Sequence, residues 1–272
     1  MKVYISVDME GLAGVSHADP TELGKPGYDA AVRLMVGETN AAIDGAIRGG
    51  AREVVVNDSH WHMYNLTPAD LDQRATVIQG RKPWSMVEGA GPDLGFGVAL
   101  FVGYHARAGH PRGTIAHTYS GAPTEVRING RKASEAALNA MVLGAWGVPV
   151  GMVAGDDALA EEIEDWLPWA GRVIVKRAVS RYAAASVHPN VAQEMLRNAA
   201  HSAVDRAKKG ELALLDVGSP VVVEVDFSDG GQADMAAVIP GAERFDDRSV
   251  RFVATDPVTA YRGFLAGIRL AG

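Results

Sequence analysis

Lys2-Val3-Tyr4-Ile5-Ser6-Val7-Asp8-Met9-Glu10-Gly11 sets the reading of the whole chain. Residues 2–7 are rich in β-branched and aromatic side chains, which makes them a short strand, and two carboxylates follow at once. Asp8 and Glu10 stand two apart, so in extended backbone both side chains leave the same face. Gly11 and Gly14 then permit tight backbone beside whatever the carboxylates hold. In an open α/β sheet, ligands bind beyond the carboxyl ends of the strands, and this pair sits at such an end. Taken alone it reads more readily as a solvated acidic loop. Its weight comes from what recurs downstream.

A helix is expected over 28–47, with Val32, Met35, Val36, Ile43 and Ile47 near 3.6 spacing, stopped by Gly49-Gly50. Val54-Val55-Val56 belongs to a second strand over 53–57, apolar on both faces, which ends in Asn57-Asp58-Ser59-His60-Trp61-His62. Thr67-Pro68 reads as the cap and first position of a helix, and 75–79 as a strand. A further strand over 98–103 runs into Tyr104-His105-Ala106-Arg107. Residues 124–128 lead into Asn129-Gly130, a two-residue turn signal, and Ser134 opens a helix through Trp146 with Glu135 in its first turn. Strands at 150–154 and 173–176 alternate with helices at 157–167, where Asp156-Asp157 acts as cap, and 189–209. From Pro220 the rhythm changes to three close strand candidates, 221–227, 235–239 and 249–254, then a helix over 256–270. The expected fold is α/β, a mainly parallel sheet flanked by helices with a smaller mixed or antiparallel C-terminal part. Residues 1–190 would form the metal-binding catalytic α/β region and 191–272 the C-terminal α+β region.

Composition narrows the chemistry. The 272 residues carry 26 Lys and Arg against 33 Asp and Glu, a net charge of −7 that disfavours nucleic acid as a partner. No apolar run approaches the ~18 residues of a membrane span, and Met1-Lys2 leads straight into a strand rather than a secretory h-region, so a cytoplasmic location is expected. With no cysteine, any metal must be held by imidazole and carboxylate, and any nucleophile must be water, Ser, Thr, Lys or His.

Three apolar strands therefore end in polar, metal-competent groups: Asp8 and Glu10, His60 or His62, and His105. Spacing alone does not choose between His60 and His62. Glu135 is the fourth piece, although an acid at a helix N-terminus is also common on electrostatic grounds. Three carboxylates and two imidazoles suit two divalent cations such as Zn²⁺ or Mn²⁺, one carboxylate bridging. Dinucleotide-binding and Walker loops, a G-x-S-x-G elbow and an H-E-x-x-H helix are all missing. His110 falls in a turn, Gly109-His110-Pro111, and His17, His188 and His201 have no companions and read as structural.

These residues resemble a known family, the D-aminopeptidases of the DppA type, the M55 metallopeptidases. The family's S-x-D-x-E-G signature stands here as Ser6-Val7-Asp8-Met9-Glu10-Gly11, and its N-D-S-H segment as Asn57-Asp58-Ser59-His60. Ser85-Met86-Val87-Glu88-Gly89, Gly103-Tyr104-His105-Ala106-Arg107-Ala108 and Met152-Val153-Ala154-Gly155-Asp156-Asp157 also match, so the resemblance covers nearly the whole chain. It implies two Zn²⁺ per subunit, with Mn²⁺ or Co²⁺ as substitutes. Asp8 would bridge, Glu10 and His105 would complete one site, and His60 and Glu135 the other. It favours His60 over His62.

The family's catalytic histidine maps onto His117, whose flanking residues depart from the family pattern. That histidine is regarded in the family as a nucleophile. Since metal-activated water already supplies one, stabilising the oxyanion or protonating the leaving amine is the preferred expectation for His117. The resemblance further implies hydrolysis of the N-terminal residue from short peptides of the D-Ala type by a homodecamer of two pentameric rings. Another two-metal hydrolase, an amidase or phosphoesterase, and a non-catalytic metal-dependent binding protein are the alternatives.

Overall fold

In the computed structural model, which describes residues 1–272, the chain begins with β1 (Lys2–Val7), α1 (Tyr28–Arg48), β2 (Glu53–Asp58), β3 (Ala75–Ile78) and β4 (Phe96–Tyr104). A hairpin of β5 (Pro123–Ile128) and β6 (Arg131–Lys132) precedes α2 (Glu135–Ala145), β7 (Val150–Asp156) and α3 (Asp157–Trp166). Then come β8 (Gly171–Ser180), β9 (Ala183–Ser186) and α4 (Pro189–Lys208). The last part is β10 (Val221–Phe227), α5 (Gly230–Ala237), β11 (Ala242–Asp246), β12 (Ser249–Ala254) and α6 (Pro257–Ala271).

One sheet has the order β3-β2-β1-β4-β7-β8-β9, parallel throughout except for β9. The other is antiparallel, β11-β12-β10-β5-β6. This is the expected α/β architecture. β1 alternates as a doubly covered strand must: Val3, Ile5 and Val7 pack in one core with Met35 and Ile43 of α1 and Leu196 of α4. Tyr4 packs in another with Phe101, α2, α6 and the antiparallel sheet. Strand order reverses between β1 and β4, which makes the ends of those two strands the switch point where such sheets bind ligands.

Three local expectations need correction. Residues 235–239 do not form a strand; most of the segment lies in α5, whose N-cap Asp229 accepts a hydrogen bond from the Gln232 amide at 3.0 Å. Thr67-Pro68 starts only a 3₁₀ turn, Pro68–Asp70, and the Thr67 side chain caps nothing. The division between the sheets also does not fall at residue 190. β5 and β6 join the antiparallel sheet through β10, while α4 packs on the parallel sheet.

Candidate metal centre

The loop after β1 is pressed against the end of β4. The Asp8 amide donates to the Val102 carbonyl at 2.8 Å and the Gly11 amide to the Gly103 carbonyl at 2.7 Å. A Cβ on Gly11 would collide with the Tyr104 carbonyl, and one on Gly103, at φ 71°, with the Asp8 carbonyl. Glycine at these two positions is thus what lets Asp8 and Glu10 approach His105. On the other side, the Ser59 amide continues the β1–β2 pairing onto the Val7 carbonyl at 2.8 Å and delivers His60. Glu135, the first residue of α2, comes from the part of the chain that packs under the opposite sheet; its Oε1 accepts the Tyr119 amide at 2.6 Å.

All five predicted ligands meet here, and all are buried. His60 Nδ1 lies 3.0 Å from both Asp8 Oδ1 and Glu10 Oε2, and His105 Nε2 lies 3.5 Å from Asp8 Oδ2 and 3.4 Å from Glu135 Oε1. The remote nitrogen of each ring is tied to backbone: His60 Nε2 donates to the Thr21 carbonyl at 2.7 Å and His105 Nδ1 to that of Ala106 at 2.9 Å. A carbonyl accepts only, so in the neutral rings the lone pairs face the carboxylates, as metal-ligating histidines require. Glu10 Oε2 meets no polar partner beyond its 3.0 Å approach to the His60 ring. Burial and the adjacent Glu10 carboxylate push Asp8 up to about 7. Burial opposes charge on His105, yet the surrounding Glu135, Asp8 and Glu10 carboxylates raise it to about 10. The cluster holds a concentrated negative potential that a cation would relieve.

Comparison with known proteins now decides the family. The peptidase M55 model, described as D-aminopeptidase, matches residues 1–266. The chain belongs to the M55 D-aminopeptidase family. A D-aminopeptidase of Bacillus subtilis (strain 168) is 38% identical over 273 residues, covering 100% of this chain and 98% of the relative. Among solved structures, the zinc-dependent D-aminopeptidase DppA from Bacillus subtilis, described as a self-compartmentalizing protease, superposes with a TM-score of 0.92. It is 37% identical and covers 100% of this chain and 98% of its own.

In this M55 member His117 lies against the cluster without entering the tightest contacts. Its ring stacks on His105 with centroids 4.1 Å apart and planes 11° from parallel, and its Nε2 is 4.0 Å from Glu135 Oε1. Its Nδ1 donates to the Ile115 carbonyl at 2.8 Å. Burial, reinforced by His105, holds its pKa below the ordinary imidazole value. His117 opens onto a cavity of about 720 Å³ that also reaches Asp8, Glu10, His60 and Glu135. Trp61, Met63, Ile115 and Tyr119 line the same cavity at φ of 47°, 62°, 52° and 63°, left-handed backbone that side chains adopt at a cost.

His62 does not approach the cluster; it stacks on Trp61 and Tyr64 at 4.8 and 5.8 Å. His60→Ala is therefore expected to abolish activity and His62→Ala to retain most of it. Steady-state assay of both variants checks this, and the reverse ranking would show that the wrong histidine was assigned. His188 caps α4, accepting the Asn190 amide at 3.2 Å.

Two contributors escaped the sequence. Lys176 is buried and its ammonium donates to the Glu10 and Val15 carbonyls, fixing the carboxylate loop from below. Its only signal was a lysine closing the apolar run Val173-Ile174-Val175. The second is a buried polar net under the site. Ser6 Oγ bonds Ser59 Oγ at 2.6 Å and the Tyr104 hydroxyl at 2.7 Å, and the Tyr104 hydroxyl accepts the Asn139 amide at 3.2 Å.

Proposed function

We infer that this protein is a zinc-dependent aminopeptidase that removes the N-terminal residue of short peptides, with D-amino-acid peptides of the D-Ala type as its preferred class. The observation that carries the reading is the convergence of three buried carboxylates and two orientation-fixed imidazoles on one cavity. Full-length similarity to a D-aminopeptidase supports the substrate class. The donor set fits zinc: imidazole and carboxylate, no thiolate, with the unpartnered Glu10 Oε2 free to ligate.

Two ions would be held, sharing Asp8. Grouped by shortest contact between the residues, Asp8, Glu10 and His60 would hold one, and Asp8, His105 and Glu135 the other. That grouping exchanges His60 and His105 relative to the one the resemblance implies, although the ligand atoms of Asp8, Glu10 and His105 also lie within 4.8 Å of one another. Zinc bound there supplies Lewis acidity toward the scissile carbonyl and acidifies water.

The protein's own residues do the rest. Because His117 Nδ1–H is committed to the Ile115 carbonyl, the neutral ring presents the Nε2 lone pair. That nitrogen takes the proton released on attack and passes it to the leaving amine. The Tyr119 amide holds Glu135 Oε1 in place, and the His105 stack holds the His117 ring.

The test is a zinc-reconstituted preparation offered a D-Ala peptide, its L-Ala counterpart and a phosphoester. Zinc-dependent turnover of the D-peptide is expected. Turnover of the phosphoester alone, or of nothing with two zinc equivalents bound, would overturn the reading. The same preparation sized by light scattering should give the mass of the decamer of two pentameric rings that the resemblance implies, an assembly in keeping with DppA being described as self-compartmentalizing; a monomer at micromolar concentration would contradict it. No helix is long and apolar enough to cross a membrane, and the reading keeps the cytoplasmic location expected from sequence.

A further inference from the structure

The cavity that holds three carboxylates at its metal cluster also carries three guanidinium groups, those of Arg81, Arg181 and Arg269. No carboxylate of the chain lies within the 4.0 Å ion-pair distance of any of the three. Arg181 is engaged locally: its Nε donates to the Tyr182 hydroxyl at 3.1 Å, and its carbonyl accepts the Ile115 amide on the His117 segment. Arg81 and Arg269 are different. Arg269 Nη2 donates to the Lys82 carbonyl at 2.8 Å, which brings the last turn of α6 against the segment that carries Arg81. That segment is itself pinned, because the buried Lys82 ammonium donates to the Asp58 carbonyl at 2.8 Å and the Gly80 carbonyl at 3.2 Å. Two like charges are thus held on neighbouring supports at one cavity, with most of their N–H donors unused.

We propose that Arg81 and Arg269 capture the free C-terminal carboxylate of the substrate, so that the enzyme selects short peptides with both termini unblocked. The inference rests on the aminopeptidase reading above. A peptide with a free C-terminus matches the two ends of the cavity: its N-terminal residue reaches the metal cluster, and its carboxylate suits two planar guanidiniums that can each bind it in a fork. A long or C-terminally blocked peptide forfeits those bonds and leaves both arginines unpaired. This selects by chemistry, independently of any exclusion by assembly.

The experiment compares D-Ala-D-Ala with its C-terminal carboxamide on the zinc-loaded enzyme. The free acid should be favoured in kcat/KM by about tenfold to a hundredfold, the range for a charge-assisted hydrogen-bonded pair. The difference should lie mainly in KM, because an anchor remote from the scissile bond acts alike on ground and transition states. In Arg81→Gln/Arg269→Gln the preference should vanish through loss on the acid alone, the amide being processed as before. Equal handling of acid and amide by the wild type, or parallel loss of both in the double variant, would overturn the proposal. Calorimetric binding of a reduced-bond dipeptide and its carboxamide provides a readout without turnover. If neither peptide is hydrolysed, the peptidase reading fails, while the acid-over-amide binding preference, present or absent, still decides the anchor.

Discussion

Asp8→Ala should lose both metal ions and, with them, at least about a thousandfold in activity, because metal ions supply several kcal/mol of transition-state stabilisation. Asp8 is the one carboxylate in the cluster that contacts both ligand imidazoles, His60 through Oδ1 and His105 through Oδ2. Removing it takes a donor from each metal position at once. Glu10→Ala should behave differently. Among the imidazoles Glu10 comes nearest to His60, so its loss weakens mainly one position and leaves Asp8, His105 and Glu135 to hold the other. Metal analysis of the purified variants separates the two cases: close to zero equivalents for Asp8→Ala and close to one for Glu10→Ala. Asp8→Asn controls for shape, since an amide oxygen can still accept the Met9 amide that now donates to Asp8 Oδ1 at 2.9 Å. Two equivalents retained in Asp8→Ala would remove Asp8 from the bridging position.

Much of this centre was legible because its parts sit at strand ends. β1, β2 and β4 are buried on both faces, so each stands out as an apolar run, and the first polar residues beyond it are thrown together at the switch point. Glu135 was harder to place. Its approach depends on how β5 pairs with β10, a contact about a hundred residues apart in sequence that no local pattern reveals. The resemblance, rather than periodicity, supplied it with weight.

The failures were also local in cause. Met235-Ala236-Ala237-Val238-Ile239 is apolar enough to suggest a strand, but Asp229 caps a helix that has already begun, and the segment follows the cap. β11 went unseen because Ala242–Asp246 is a mostly exposed edge strand with little apolar alternation. Lys176 shows the limit of reading burial from polarity: its ammonium is buried because two backbone carbonyls of the carboxylate loop require a donor.

His117→Ala should keep both metals and a nearly normal KM while kcat falls by about 10²–10⁴, the span expected for losing an acid–base or oxyanion group. The expectation follows from where its ring stands. His117 Nε2 reaches Glu135 Oε1 only at 4.0 Å, whereas the His105 and His60 nitrogens lie 3.0–3.5 Å from their carboxylates. It is also the most exposed of the three, its side chain 24% accessible against 1% for His105 and 5% for His60. A ring so placed is open to substrate, and although its nitrogen lies within 4.8 Å of the ligand atoms of His105 and Glu135, its loss is expected to leave the five ligands in place. Its loss does remove the stacking partner of His105, so metal content and thermal stability must be measured alongside kcat. Unchanged kcat in a fully metallated variant would take His117 out of the mechanism. A covalent adduct trapped on the wild-type His117 imidazole would make it the nucleophile instead of the proton carrier. Metal lost together with activity would make His117 a metal ligand instead, because its ring nitrogen lies within 4.8 Å of the ligand atoms of His105 and Glu135.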